Sequence, residues 1–206
     1  MNGFERRKER KKQNILHAAL HLFSDYGVQK VSIQEIAKRA QVSQVTIYNY
    51  FGSKDQLLYH TVEMLIYKRL ESSRSIIDDE SLSFKEKMKS LITSKKQDVT
   101  EYHTEFIQSI LSEQPDIQKL LHDFNENHTI PLLMKLVNEG KEEGLVHQEL
   151  SFETISFFVN MYYQAFHSLP TSQKESISGF SEELIHLFFY GIMGNTDQPI
   201  RSKQEE

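Results

Sequence analysis

The stretch from Ser32 to Leu58 constrains this chain more than any other, because it writes three helix starts in close succession. Ser32-Ile33-Gln34-Glu35 is a capping box, in which hydroxyl and carboxylate satisfy N–H groups that a first helical turn leaves unpaired. Ile33, Ile36, Ala37 and Ala40 then give a short helix one apolar face. A break at Gln41-Val42 follows, and Ser43 is placed to cap a second short helix over residues 44–50, with Ile47 and Phe51 facing inward. Ser53-Lys54-Asp55-Gln56 reads as another capping box and opens a long helix to roughly residue 75. Two short helices joined by a turn of a few residues form a helix-turn-helix, and caps, turn and core all predict one here.

Upstream, Ile15, Leu16, Ala19, Leu22 and Phe23 fall at helical spacing, and Gly27 supplies the stop. The residues before them, including Arg6, Arg7, Lys8, Arg10, Lys11 and Lys12, read as a mobile basic arm running into that helix. Downstream, the periodicity predicts helices near residues 83–98, 101–113, 116–128, 129–143, 151–169 and 174–194. Ser83 with Glu86 caps the first of these, and Pro115 suits a first turn. Pro131 should kink or split its element. Nothing alternates as strands do. The expected fold is all-α: a three-helix module over residues 1–58, then a larger helical bundle over residues 59–206, with about nine or ten helices in all.

Charge separates the same two parts. Residues 1–58 hold ten Lys/Arg against five Asp/Glu, and the rest hold 14 against 24, within a net charge of -5. A basic head on an acidic body points the head toward a polyanion. The absence of cysteine excludes disulfides, thiol catalysis and Cys-based zinc sites. No apolar run approaches the roughly 20 residues of a membrane span, and the N-terminus lacks the apolar stretch of a signal peptide. The expectation is a cytoplasmic protein with no membrane association and no cofactor.

The second short helix carries the chemistry of base reading. Gln44, Val45, Thr46, Tyr48 and Asn49 surround the inward Ile47. Gln and Asn amides match adenine, while Thr and Val methyl groups match the thymine methyl. Tyr48 and the hydroxyls of Ser32, Ser43 and Thr46 suit phosphate oxygens, and at Lys54 a cation coincides with the free N–H groups of a helix start. The pattern Val42-Ser43-x-x-Thr46-Ile47-Tyr48-x-Tyr50-Phe51-x-Ser53-Lys54-x-x-Leu57-Leu58 resembles the signature of the TetR family of bacterial repressors. Upstream, Ile15-Leu16-x-Ala18-Ala19-x-x-Leu22-Phe23, Gly27 and Ser32-x-x-x-Ile36-Ala37 extend the likeness. The resemblance implies phosphate or base contacts at Ser32, Gln44, Thr46, Tyr48, Asn49 and Lys54, to which the basic arm adds candidate phosphate or minor-groove contacts. Two positions depart from the family: Gln41 stands where Gly is usual in the turn, and Val45 where a small residue is common. A left-handed Gln41 costs about 1 kcal/mol.

Ten of the 22 Phe and Tyr residues lie between 152 and 190, and apolar groups cover more than one face of the segment 155–166. Such a helix faces both its own subunit and a partner. The resemblance implies a homodimer whose last two helices pair with their symmetry mates, which places Phe157, Met161, Leu184, Phe188 and Ile192 at the interface. It also implies an effector pocket in the body, coupled to the DNA module through the long helix that begins at Lys54. The candidate lining is Tyr102, Phe106, Ile110, Phe124, Phe158, Tyr162 and Phe166, with His103 and Gln164 as polar anchors. That lining suits a small hydrophobic or amphipathic effector. The expected function is ligand-responsive repression at a pseudo-palindromic double-stranded DNA operator.

Two other readings stand beside it. An architectural DNA-binding protein without effector would not need so long an acidic body. A helical metal-dependent enzyme draws on His17 and His21, one turn apart, or on His122 and His128 with Asp123 and Glu126. No Glu follows His17 directly, and no phosphate-binding Gly-rich loop is present, so the chain reads as a non-enzyme.

Overall fold

Helix α1 begins far ahead of its first apolar residue. It spans Gly3–Tyr26, because Asn2 caps it: the Asn2 carboxamide accepts the Phe4 and Glu5 N–H groups, and Glu5 reaches back to the Asn2 N–H. The basic segment expected to be a mobile arm is therefore helical from residue 3. The signal was legible, since Asn2-Gly3-Phe4-Glu5 has the spacing of a capping box.

The computed structural model describes residues 2–100, 106, 114–168, 187 and 191. Among the described residues there is no strand, and the helices are α1, α2 (Ile33–Ala40), α3 (Gln44–Phe51), α4 (Lys54–Ile77), α5 (Phe84–Thr100), α6 (Pro115–Phe124), α7 (Ile130–Glu142) and α8 (Phe152–Ser168). The helices expected over 101–113 and 174–194 lie outside the described residues, apart from Phe106, Leu187 and Gly191. The chain forms two compact units, one of Met1–Leu70 with Glu101–His122, the other of Glu71–Thr100 with Asp123–Glu206.

In the first unit, α1, α2 and α3 close over one apolar cluster that includes Ile15, Ala19, Phe23, Ile36, Ile47 and Phe51. Helix α4 adds Leu57, Leu58, Val62 and Leu65. Thr61 is fully buried among them, and its hydroxyl donates to the Leu57 carbonyl at 2.7 Å, so no polar atom there is left unpaired. Phe106 and Ile117 complete the cluster, with the Phe106 ring stacked on Phe23 at a centroid distance of 6.4 Å.

In the second unit, Phe84, Met88 and Leu91 of α5 pack with Leu136 and Val137 of α7 and Ile155 of α8. Acidic residues of α7 secure the start of α5. Glu143, just past α7, accepts the Phe84 N–H at 3.0 Å, and Glu139 receives the Nζ of Lys87, which is itself buried. Pro131 was expected to kink or split its element. The helical run is split there by a π turn over Asn125–Thr129 between α6 and α7, where the Ile130 N–H reaches back to the Asn125 carbonyl. Pro131 has no N–H to donate and its ring crowds the preceding turn, and a widened turn relieves both. Asn125 is buried in that turn and donates its amide to Asn160 of α8 at 3.0 Å.

Candidate nucleic-acid interface

The turn between α2 and α3 decides what α3 can present. Gln41 adopts the left-handed conformation (φ 55°, ψ 44°), and no other described non-glycine residue has positive φ. Its N–H bonds to the Lys38 carbonyl, and the Val42 N–H bonds to that of Ala37 at 3.0 Å. These two bonds make a Schellman ending, with Val42 packed on the apolar cluster beneath. Gln41 accordingly does here the work of the family's glycine, at a steric cost.

Ser43 then starts α3. Its hydroxyl accepts the Thr46 N–H at 3.1 Å, and the Ser43 and Thr46 hydroxyls share a further hydrogen bond of 2.8 Å. With Ile47 at 0% exposure as the anchor, the opposite face is open: Gln44 and Asn49 are exposed, Val45 is 67% exposed and Tyr48 is 49% exposed. Tyr50 is half-buried, packs on the cluster, and lies against Phe51 at a centroid distance of 6.2 Å.

Gly52 ends α3 at φ 77° and ψ -49°, a γ-turn that returns the Ser53 N–H to the Phe51 carbonyl at 2.9 Å. The capping box expected at Ser53 is thus only half made. The Ser53 hydroxyl accepts the Gln56 N–H at 3.1 Å, while its own N–H is already spent in the γ-turn. Lys54 follows as the first residue of α4 and is half-buried.

Ser32 closes its box with Glu35 as expected, and this commits its hydroxyl: the proton goes to the Glu35 carboxylate at 2.7 Å. Glu35 is held below its ordinary carboxylate value by the Ser32 backbone N–H, then by the Ser32 hydroxyl, with Lys54 adding a smaller attraction. The candidates Ser32, Ser43, Gln44, Val45, Thr46, Tyr48, Asn49 and Lys54 all belong to the α2–α4 module, and α3 brings Gln44, Val45, Tyr48 and Asn49 to its open side.

The described candidate effector residues fall in both units. Phe106 is fully buried in the first unit. In the second, Phe124 is half-buried with its ring near His128, Phe158 is 41% exposed and Gln164 is exposed. Tyr102, His103 and Ile110 lie outside the described residues, while Tyr162 and Phe166 are placed on α8. Of the interface candidates, Phe157 is 71% exposed and Met161 48% exposed, one helical turn apart on α8. Leu184, Phe188 and Ile192 lie outside the described residues. His21 of the metal reading pairs with Asp25 at 2.8 Å. Among the described residues no three His, Asp or Glu side chains are grouped to hold a metal ion, and no helix is long and apolar enough to cross a membrane.

What the sequence reading missed is a cleft beside α3. It has a volume of about 630 Å³ and is lined by Lys8, Glu9 and Lys12 of α1 with Thr46, Asn49 and Tyr50 of α3. Charge along residues 1–12 was visible, but its placement next to α3 was not.

Comparison with known proteins agrees with this geometry. Residues 15–60 match the family pattern described as bacterial regulatory proteins, tetR family. The HTH-type transcriptional regulator HbdR of Aromatoleum sp. (strain CIB) is 40% identical over 58 residues, which are 28% of this chain and 25% of HbdR. The HTH-type transcriptional regulator YerO of Bacillus subtilis (strain 168) is 30% identical over 201 residues, 94% of this chain and 69% of YerO. Among solved structures, FadR of Bacillus subtilis in complex with stearoyl-CoA superposes with a TM-score of 0.63 at 19% identity, covering 87% of this chain and 98% of FadR, and shares the fold. With the helix-turn-helix pattern matched and YerO similar over 94% of this chain, the chain belongs to the TetR family of bacterial transcriptional regulators.

Proposed function

We propose that the protein is a cytoplasmic, homodimeric repressor that binds a pseudo-palindromic DNA operator through α3 and is released by a small hydrophobic or amphipathic effector. The observation that carries the DNA part is the polarity of α3: amides, a phenol and an exposed methyl-bearing side chain sit over one fully buried isoleucine. In this reading Gln44, Val45 and Asn49 meet base edges, and Ser43, Thr46, Tyr48 and Lys54 meet phosphates. Residues 1–58 serve DNA binding, and residues 59–206 serve effector binding and dimerisation. The exposed Phe157 and Met161 support the dimer, since apolar side chains one turn apart on an open helix face suit a symmetry mate. Phe124 and Phe158 are the described candidates for apolar contact with the effector, and the amphipathic stearoyl-CoA on FadR favours a ligand of that kind.

Selection of duplexes from a random DNA pool tests the reading. The unaltered protein should enrich one pseudo-palindromic motif, and a Tyr48→Ala/Lys54→Ala variant should lose it. Equal enrichment by the variant would remove α3 and Lys54 from the interface. Adding acyl-CoA esters of graded chain length to the enriched complex should release DNA, and release by none of them would redirect the effector assignment to another chemistry.

A further inference from the structure

The first half of α1 contributes no buried residue to its own unit. Residues 2–11 are exposed, and the first buried residue is Ile15. The extension is nevertheless an ordered helix of roughly 18 Å at 1.5 Å per residue. It is capped at Asn2 and continuous with the packed second half, so it avoids the nucleation cost that makes a short isolated helix marginal. Lys8 and Lys12 stand one turn apart on it, and both line the cleft that Thr46, Asn49 and Tyr50 of α3 close from the other side. Glu9 shares the lining, with its carboxylate accepting the Gln13 amide at 2.9 Å.

We propose that this half of α1 is a rigid second DNA clamp, in which Lys8 and Lys12 bind phosphates of the strand bordering the groove that α3 reads. The proposal rests on the DNA reading of α3 given above. Charge and position both support it: two ammonium groups share one open cleft with the side chains assigned to bases and phosphates, and nothing in the core requires them there. A cation held on a preformed helix loses less freedom on binding than one on a flexible arm. Because the contacts are to phosphates, they set affinity and salt dependence and leave base preference unchanged.

The test uses a duplex from the enriched pool and two charge-matched variants. Lys8→Gln/Lys12→Gln removes the cations lining the cleft. Arg6→Gln/Arg10→Gln removes two cations about half a turn around the same exposed helix. Gln keeps the helix propensity of Lys and Arg, so neither variant unwinds α1. The lysine variant should lower the slope of log affinity against log salt by about 1.8 per subunit, which near ~0.1 M salt weakens binding by about 60-fold per subunit relative to ~1 M. Its enriched motif should be the same as that of the unaltered protein, and the arginine variant should change the slope by less than half as much. Equal slopes for the two variants, or a changed motif with an unchanged slope, overturn the clamp and leave the α3 reading standing. If the unaltered protein enriches no duplex, both fall.

Discussion

Helices α3 and α8 leave opposite kinds of side chain open, and the contrast shows how an exposed face declares its partner. On α3 Ile47 and Phe51 anchor the helix, and the open side is dominated by amides and a phenol, groups that water solvates well and base edges can replace. On α8 the anchors are Ile155 and the half-buried Val159, and the open side carries Phe157 and Met161. Leaving one such residue in water is unremarkable, but Phe157 and Met161, one turn apart, suit a surface that a symmetry mate would cover in the proposed dimer. The α3 face can therefore wait in solvent for a polyanion, whereas the α8 face is costly until covered. In the proposed reading the first face serves recognition, and the second serves assembly.

Four expected outcomes sharpen or break this comparison. The largest is Ile47→Ala, which should lower the stability of the isolated subunit by roughly 2–5 kcal/mol through lost burial and a cavity. Phe157→Ala should barely change it. Chemical denaturation at low protein concentration reads both, and a comparable loss from Phe157→Ala would place that ring in the subunit core. Next, Phe157→Glu/Met161→Glu should weaken self-association by about 2 kcal/mol, roughly 30-fold, because charge enters an apolar contact. Sedimentation velocity measures this, and an unchanged dimer would move the interface off α8.

Smaller still is Gln41→Gly. Relief of the left-handed strain at φ 55° is partly offset by the entropy of glycine in the unfolded chain, so the gain should stay below about 1 kcal/mol in thermal melts. A loss of stability would mean that the Gln41 side chain does more than tolerate the turn. The smallest effect lies at low pH. Glu35 titrates below its ordinary value of 4.5 when folded, so its contribution is complete above that value and disappears as pH falls through the depressed folded one. Ser32→Ala should raise the Glu35 titration midpoint seen by NMR, and an unmoved midpoint would assign the shift to the Ser32 backbone N–H, which the substitution keeps.

Much of the interface was legible because its signals are short-range. Ser32 with Glu35, Ser43 with Thr46, and Ser83 with Glu86 each act within three residues, so spacing alone places the helix starts. The same logic applied to Asn2 and Glu5 would have found the helical start of α1, which the density of charge obscured. At Ser53 spacing alone does not decide the cap, since a γ-turn at Gly52 takes the N–H that the pattern reserves for Gln56.

By itself, then, the sequence determined the all-helical character, the helix-turn-helix and the identity of the outward side chains on α3, because periodicity and caps are properties of neighbours along the chain. Only the tertiary structure decided which distant residues meet. It brought Lys8 and Lys12 to the flank of Asn49, stacked Phe106 on Phe23 and paired Asn125 with Asn160 across a π turn. The reason is physical: a helix's direction beyond its packed end, and the partner chosen by a buried amide, follow from the balance of the whole core, which no local pattern encodes.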